Sequence, residues 1–171
     1  MRGKISPFLL DLKHLTRLDL SENNFGGVHI PRFLGSMWNL RYLSLYNVGF
    51  GGIIPQQLGN LSHLQHLDLG QNTDAYDPLY VENIQWLSGL SSLEYLDLSL
   101  VNLSKAFDWL LVTNGLPSLV ELKLSGCELH DFPSLPITNS SVLATLVFPS
   151  TNLVVQFLVG FQVIVIWSQL I

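Results

Sequence analysis

Six stretches of eleven residues share one arrangement of apolar and polar positions. The clearest, Leu93 to Leu103, reads LEYLDLSLVNL; the others are LTRLDLSENNF from Leu15, LRYLSLYNVGF from Leu40, LQHLDLGQNTD from Leu64, LVELKLSGCEL from Leu119 and LATLVFPSTNL from Leu143. Their first leucines lie 25, 24, 29, 26 and 24 residues apart. In each copy the centre, such as Tyr95-Leu96-Asp97-Leu98-Ser99, alternates with the two-residue period of a strand, so Leu96 and Leu98 point one way and their neighbours the other. A strand with a single apolar face cannot bury it alone. The copies must therefore stack, pairing their strands in parallel at about 4.8 Å per repeat. The prediction is an α/β solenoid, a right-handed superhelix with parallel strands on the concave face and short helical turns and loops on the convex face.

This is the pattern of a leucine-rich-repeat array. We assign it to residues 1–152, with a first partial unit at 3–14, and set residues 153–171 apart as an uncharged apolar tail. The eighth position after the first leucine commonly carries Asn, whose amide satisfies backbone groups where the chain leaves the strand. Here it reads Asn23, Val48, Asn72, Val101, Cys127 and Thr151. The valine turns must find backbone or water partners, and Cys127 is expected to be a buried thiol in the same row.

After each of the first two strands come segments of similar composition. They are Phe25-Gly26-Gly27-Val28-His29-Ile30-Pro31 and Phe50-Gly51-Gly52-Ile53-Ile54-Pro55. Glycine allows the turn and proline fixes φ. Gln57-Leu58-Gly59-Asn60-Leu61 should then form a short helical turn before Leu64 opens the next strand. This combination resembles the plant-specific class of leucine-rich repeats found in receptor-like kinases, receptor-like proteins and polygalacturonase inhibitors. The five-residue excess in Thr73 to Asn83, followed by Ile84-Gln85-Trp86-Leu87-Ser88-Gly89-Leu90, then Asp108-Trp109-Leu110 and Pro117 to Cys127, is similar to plant receptor-like proteins. The resemblance covers roughly residues 3–146. It implies a glycoprotein ectodomain at the outer face of the plasma membrane, binding a protein or peptide ligand in defence or developmental signalling. It further implies signalling through a separate receptor kinase as co-receptor. The alternatives are a secreted inhibitor of cell-wall-degrading enzymes and a truncated gene product without function. The family's secretion signal and cysteine-paired cap are missing ahead of Gly3, so the sequence reads as a fragment that starts within a longer protein.

Bulk properties narrow the partners. With 171 residues, 48% hydrophobic and 12% charged, the chain is a single folded domain. A net charge of −5 argues against nucleic acid. Charge is unevenly placed: residues 1–41 hold six basic and three acidic side chains, residues 42–131 two and ten. The lone Cys127 can form no internal disulfide. The tail, LVVQFLVGFQVIVIWSQLI, has the length of a membrane anchor. Gln156, Gln162, Ser168 and Gln169 interrupt it, no Lys or Arg flanks it, and its Val and Ile suit strands. We read it as out-of-family sequence, with an anchor as the alternative.

No catalytic constellation emerges, and neither enzymatic activity nor a cofactor is expected. His63 and His66 are spaced HxxH but lack the glutamate of a zinc protease, and His66 is expected to be a solvated surface residue. Asp19, Asp68 and Asp97 share one column, interrupted by Ser44. The informative surface is the concave face. Its candidate binding residues are Arg17, Tyr42, Tyr46, His66, Asp68, Tyr95, Asp97, Glu121 and Lys123. Two readings of the aromatic ones stay open: large amphipathic contacts for a partner, or stacking across neighbouring strands. Three Asn-x-Ser sequons, at Asn60, Asn102 and Asn139, fit an extracellular glycoprotein. The irregular loop with Asp74, Tyr76, Asp77 and Tyr80 is expected to pack on the convex side rather than meet a partner.

Overall fold

In the computed structural model the described residues are 4–73 and 76–129, with the backbone of three further strands between 143 and 167. Strands β1 (Arg17–Asp19), β2 (Tyr42–Ser44), β3 (His66–Asp68), β4 (Tyr95–Asp97) and β5 (Glu121–Lys123) lie side by side in parallel. Each is three residues long, and backbone hydrogen bonds between repeats run on past it, as from Leu45 N–H to Asp68 and from Asn47 N–H to Gly70. Their pairing follows the repeat pattern: Arg17, Tyr42, His66, Tyr95 and Glu121 form one column and Asp19, Ser44, Asp68, Asp97 and Lys123 another.

Between the two columns Leu18, Leu43, Leu67, Leu96 and Leu122 turn inward and are buried. They join Leu45, Leu69, Leu98 and Leu124 from the same strands and Leu34, Leu58 and Leu87 from the opposite wall in one continuous core. At the β1 end the core is thinner, since Leu15, Leu20 and Phe25 are only partly buried. A second, lateral ladder of backbone bridges pairs His29 with Gly51, Ile53 with Tyr80, and Tyr80 with Asn102. This ladder absorbs the long third repeat. Tyr80 sits in it, Leu79 and Val81 are buried beneath it, and Asp77 pairs with His29 at 3.3 Å. The closing half of that loop thus packs on the solenoid's flank while Tyr76 is fully exposed; Asp74 lies outside the described residues.

The convex wall is built from 3-10 turns at Pro7–Asp11, Arg32–Ser36, Gln56–Asn60 and Gln85–Gly89 and one short helix, α1 (Trp109–Asn114). Pro31 and Pro55 precede the second and third turns with extended backbone, where a proline's fixed φ costs nothing. Successive turns touch backbone to backbone. A Cβ on Gly35 would strike the carbonyl of Gln57, one on Gly59 the carbonyl of Trp86, and one on Gly89 the carbonyl of Gly59. Gly35, Gly59 and Gly89, one in each of these three turns, are therefore a spacing requirement between repeats.

Beyond β5 the sheet continues with β6 (Leu143–Phe148), parallel to β5, then β7 (Leu153–Leu158) and β8 (Val163–Trp167), both antiparallel. The repeat pattern would set Glu121 beside Thr145 and Lys123 beside Val147. Instead Glu121 faces Leu143 and Lys123 faces Thr145, a slip of two residues. The cause is the other partner: β6 pairs along all six of its residues with β7, and that longer ladder, rather than the repeat, fixes where β6 lies. Among the described residues no helix is long and apolar enough to cross a membrane.

Candidate concave recognition face

The column starting at Arg17 is a continuous stack. The Arg17 guanidinium lies 3.4 Å from the centre of the Tyr42 ring. Tyr42 and His66 are stacked at 4.2 Å and 7°, His66 and Tyr95 at 4.2 Å and 5°. The Lys123 ammonium closes the far end, 4.9 Å from the centre of the Tyr95 ring and donating a 3.0 Å hydrogen bond to its hydroxyl. Parallel strands present equivalent side chains one above another, so planar groups in one column meet face to face. Of the two readings of the tyrosines, the structure shows cross-strand stacking for Tyr42 and Tyr95. His66 is not the solvated residue expected but the half-buried middle of the stack. Tyr46, four residues beyond Tyr42, stands outside the stack and is partly buried.

Both cations are neutralised within the face. Arg17 bonds the Asp19 carboxylate at 3.0 Å, and Lys123 lies 3.2 Å from Glu121. The Ser21 hydroxyl, at 2.5 Å, is the main reason Asp19 is held below the usual carboxylate range. Burial first, then Arg17 and Lys123, lowers the pKa of His66, so the imidazole stacks in its neutral form. The Tyr95 hydroxyl is the chief cause that raises Lys123 above its ordinary value, and burial raises Tyr95 itself.

The second column is different. Asp68 accepts a 3.0 Å hydrogen bond from the Gly70 amide, and Asp97 accepts one at 2.8 Å from Ser99 and a long one, 3.4 Å, from the Tyr95 hydroxyl. Among the described residues neither carboxylate belongs to an ion pair. Burial, with Asp97 adding its charge, raises Asp68 to about 6.

Of the predicted residues, then, Arg17, Tyr42, His66, Tyr95 and Lys123 meet directly, Glu121 braces Lys123, and Asp68 and Asp97 lie beside them. Asp19 and Gly70 were not among the predicted site residues. Both stand at repeat-equivalent positions, and the spacing of the repeats was enough to find them.

The turns leaving the strands are supported unequally. Asn72 donates to the carbonyls of Leu45 and Leu69 and accepts from the amides of Val48 and Phe50, joining two repeats. Cys127 occupies the equivalent place two repeats on and is buried as expected; its thiol donates to the carbonyl of Leu98. It offers no acceptor to match the amide, and backbone carbonyls take over: Val101 N–H donates to Leu98 and Leu103 N–H to Cys127. Burial pushes the thiol up to about 12.

The sequons differ too. Asn60 is exposed at the end of a convex turn, whereas the Asn102 amide is tied to Glu128 at 2.6 Å and to Ser104. Asn139 lies outside the described residues. No group of His, Cys, Asp or Glu among the described residues is arranged to hold a metal ion.

Comparison with known proteins agrees with this architecture. The model of the family described as Zer-1-like leucine-rich repeats matches residues 6–110. The chain is 46% identical over 146 residues to receptor-like protein EIX1 of Solanum lycopersicum and 45% identical over 146 residues to receptor-like protein EIX2 of the same plant. Each match covers 84% of this chain and 14% of the relative, so the chain spans about one seventh of the length of these curated relatives. Among solved structures, PEPR1–AtPEP1 is similar with a TM-score of 0.54 and 26% identity, over 71% of this chain and 19% of that one. The chain belongs to the leucine-rich-repeat family, in the group whose curated relatives are plant receptor-like proteins.

Proposed function

We propose that the chain is a ligand-binding segment of a cell-surface receptor-like protein, taking a protein or peptide on its concave face for defence or developmental signalling. The observation that carries this reading is the Arg17–Tyr42–His66–Tyr95–Lys123 stack: a rigid strip of large amphipathic side chains held at fixed spacing loses little entropy on meeting a partner. The similarity to PEPR1–AtPEP1, a structure of two partners together, supports a protein or peptide as the occupant. By family resemblance a receptor kinase acts as co-receptor and the location is the outer face of the plasma membrane. The chain acts by binding and not by catalysis. If it is glycosylated, Asn60 has the room and Asn102 does not.

The test is selection of a random peptide library displayed on phage against the full chain. Peptides recovered with the unaltered chain should lose about 1–2 kcal/mol of binding, roughly five- to thirtyfold, in Tyr42→Ala and in Tyr95→Ala, the scale of an aromatic interface residue. Recovered peptides that bind both variants as well as the parent would place the binding surface elsewhere.

A further inference from the structure

The flank of the solenoid carries a groove that belongs to neither wall. Between the second and third repeats the flank ladder is continuous: Gly52 N–H donates to Asp77, Tyr80 N–H to Gly52 and Ile54 N–H to Tyr80. Between the first and second it ends at the bridge of His29 with Gly51, whose N–H donates to Val28. Five residues separate Phe25 from Pro31, but four separate Phe50 from Pro55. The odd residue has no counterpart to pair with, so the ladder cannot run on in register, as at a bulge.

A groove of about 570 Å3 opens there. Ile5, Val28, Pro31 and Ile53 line it and are only partly buried, which leaves an apolar floor within reach of solvent. Around this floor stand exposed polar groups. Lys4, from the partial first unit, and Arg32, from the turn of the first repeat, belong to no ion pair among the described residues. The carboxamides of Gln56 and Gln57 make no hydrogen bond among the described residues either. Glu82, the acid of the rim, comes from the third repeat, at the opposite end from Lys4.

Charge thus changes sign along the groove. This follows the chain at large, with six basic and three acidic side chains in residues 1–41 and two and ten in residues 42–131. A uniform polyanion would be repelled at Glu82, and a wholly apolar ligand would leave Lys4 and Arg32 unanswered. A peptide with an acid at one end, apolar residues in the middle and a base at the other answers all three parts. Three ladder steps at about 4.8 Å span roughly 14 Å, the reach of four extended residues. The peptide backbone supplies partners for the two carboxamides, and the planar guanidinium of Arg32 suits a carboxylate.

We propose that this groove binds a short extended segment of a partner protein, reading acid, apolar, apolar, base from Lys4 and Arg32 toward Glu82. The surface is separate from the concave face, and each can be occupied without the other.

The probe is the capped hexapeptide Ala-Asp-Leu-Leu-Lys-Ala, titrated at neutral pH into the isotopically labelled full chain. It should shift the amides of His29, Ile53 and Gln57 and leave those of Tyr42 and Tyr95 in place. Replacing its aspartate by asparagine should weaken binding about tenfold, and reversing the order to Ala-Lys-Leu-Leu-Asp-Ala should do the same. Lys4→Gln and Arg32→Gln together, both exposed and clear of the core, should bring the parent peptide down to the level of its asparagine counterpart. Equal binding of the aspartate and asparagine peptides, or of the two orders, would overturn the proposal, as would an aspartate preference that survives in the double variant. Acetate that shifts the same amides at the same concentration as the hexapeptide would reduce the groove to a simple anion site and exclude the peptide. If the hexapeptide moves no flank amide, the groove is not a peptide site, whatever the concave face binds.

Discussion

The two walls of this solenoid differ in what stands between their repeats. On the concave wall backbone hydrogen bonds pair the strands, and side chains stack over that sheet: an arginine on a tyrosine, a histidine between two rings, a lysine on a phenol. On the convex wall the backbones touch directly, at glycines where a single added carbon would collide with a carbonyl. Side chains projecting from a paired sheet can change their chemistry repeat by repeat while the chain path stays the same. A wall made of backbone contacts cannot. The difference fits the glycines of three convex turns, Gly35, Gly59 and Gly89, whereas the concave columns carry almost every class of residue.

The largest test of this contrast is Gly59→Ala. The new Cβ meets the carbonyl of Trp86, so the second and third repeats must separate, and we expect a loss of about 3 kcal/mol in urea denaturation, at the upper end for overpacking a tight site. His66→Ala removes two stacked contacts from the opposite wall and should cost about 1–2 kcal/mol. If the histidine variant loses as much as the glycine variant, the concave stack is structural cement and the division between the walls is wrong.

A smaller effect has the opposite sign. Asp68 is raised in the fold from 3.8 to about 6. The folded chain therefore holds a proton that the unfolded chain releases between those values, so this group favours folding as pH falls from about 6 to 4 and disfavours it above. Asp68→Asn should stabilise the chain at neutral pH by about 1 kcal/mol, discounted because the group is only half-buried and screened by solvent. That gain should vanish toward pH 4. The comparison must be made against the parent at each pH, since Asp19, Asp97, Lys123, Tyr95 and His66 surround the site and His66, with its lowered pKa, drives stability the other way. A variant less stable than the parent at neutral pH would show that Asp68 serves the fold.

The smallest expected change concerns the turns. The Cys127 thiol, buried and raised to about 12, should resist alkylation in the folded chain and react at an ordinary rate once urea unfolds it. Labelling under native conditions at the unfolded rate would mean that the last described turn opens on its own.

How much of this could be read from the residues follows from what sets each feature. A one-residue slip between parallel strands would turn every leucine outward, and the repeat period selects among the remaining registers, so the columns through Tyr42, His66 and Tyr95 were legible from spacing alone. The stack was only half legible. Period places the rings in one column, but Lys123 belongs to the next and reaches across to Tyr95 through the length of its side chain, while Glu121, in the ring column, turns aside to hold it. The expectation that His66 is solvated failed because it weighed the strand position and left out the two tyrosines beside it. The lateral ladder through Tyr80 was hidden by the five extra residues that bring it into line, and the slip of β6 by its antiparallel partner, which follows no repeat.

The common register of the columns has a consequence for how such a face changes over generations. Each concave position is supplied by a different repeat, encoded some 24 to 29 codons from its neighbours. Loss of one whole repeat by recombination between two similar copies would close the sheet again without disturbing any inward leucine. Removing the copy that carries His66 would lay Tyr42 against Tyr95 and Ser44 against Asp97. It would delete Asp68 and Gly70 in one step. A new recognition surface thus arises from an event that point substitution would need many separate changes to match.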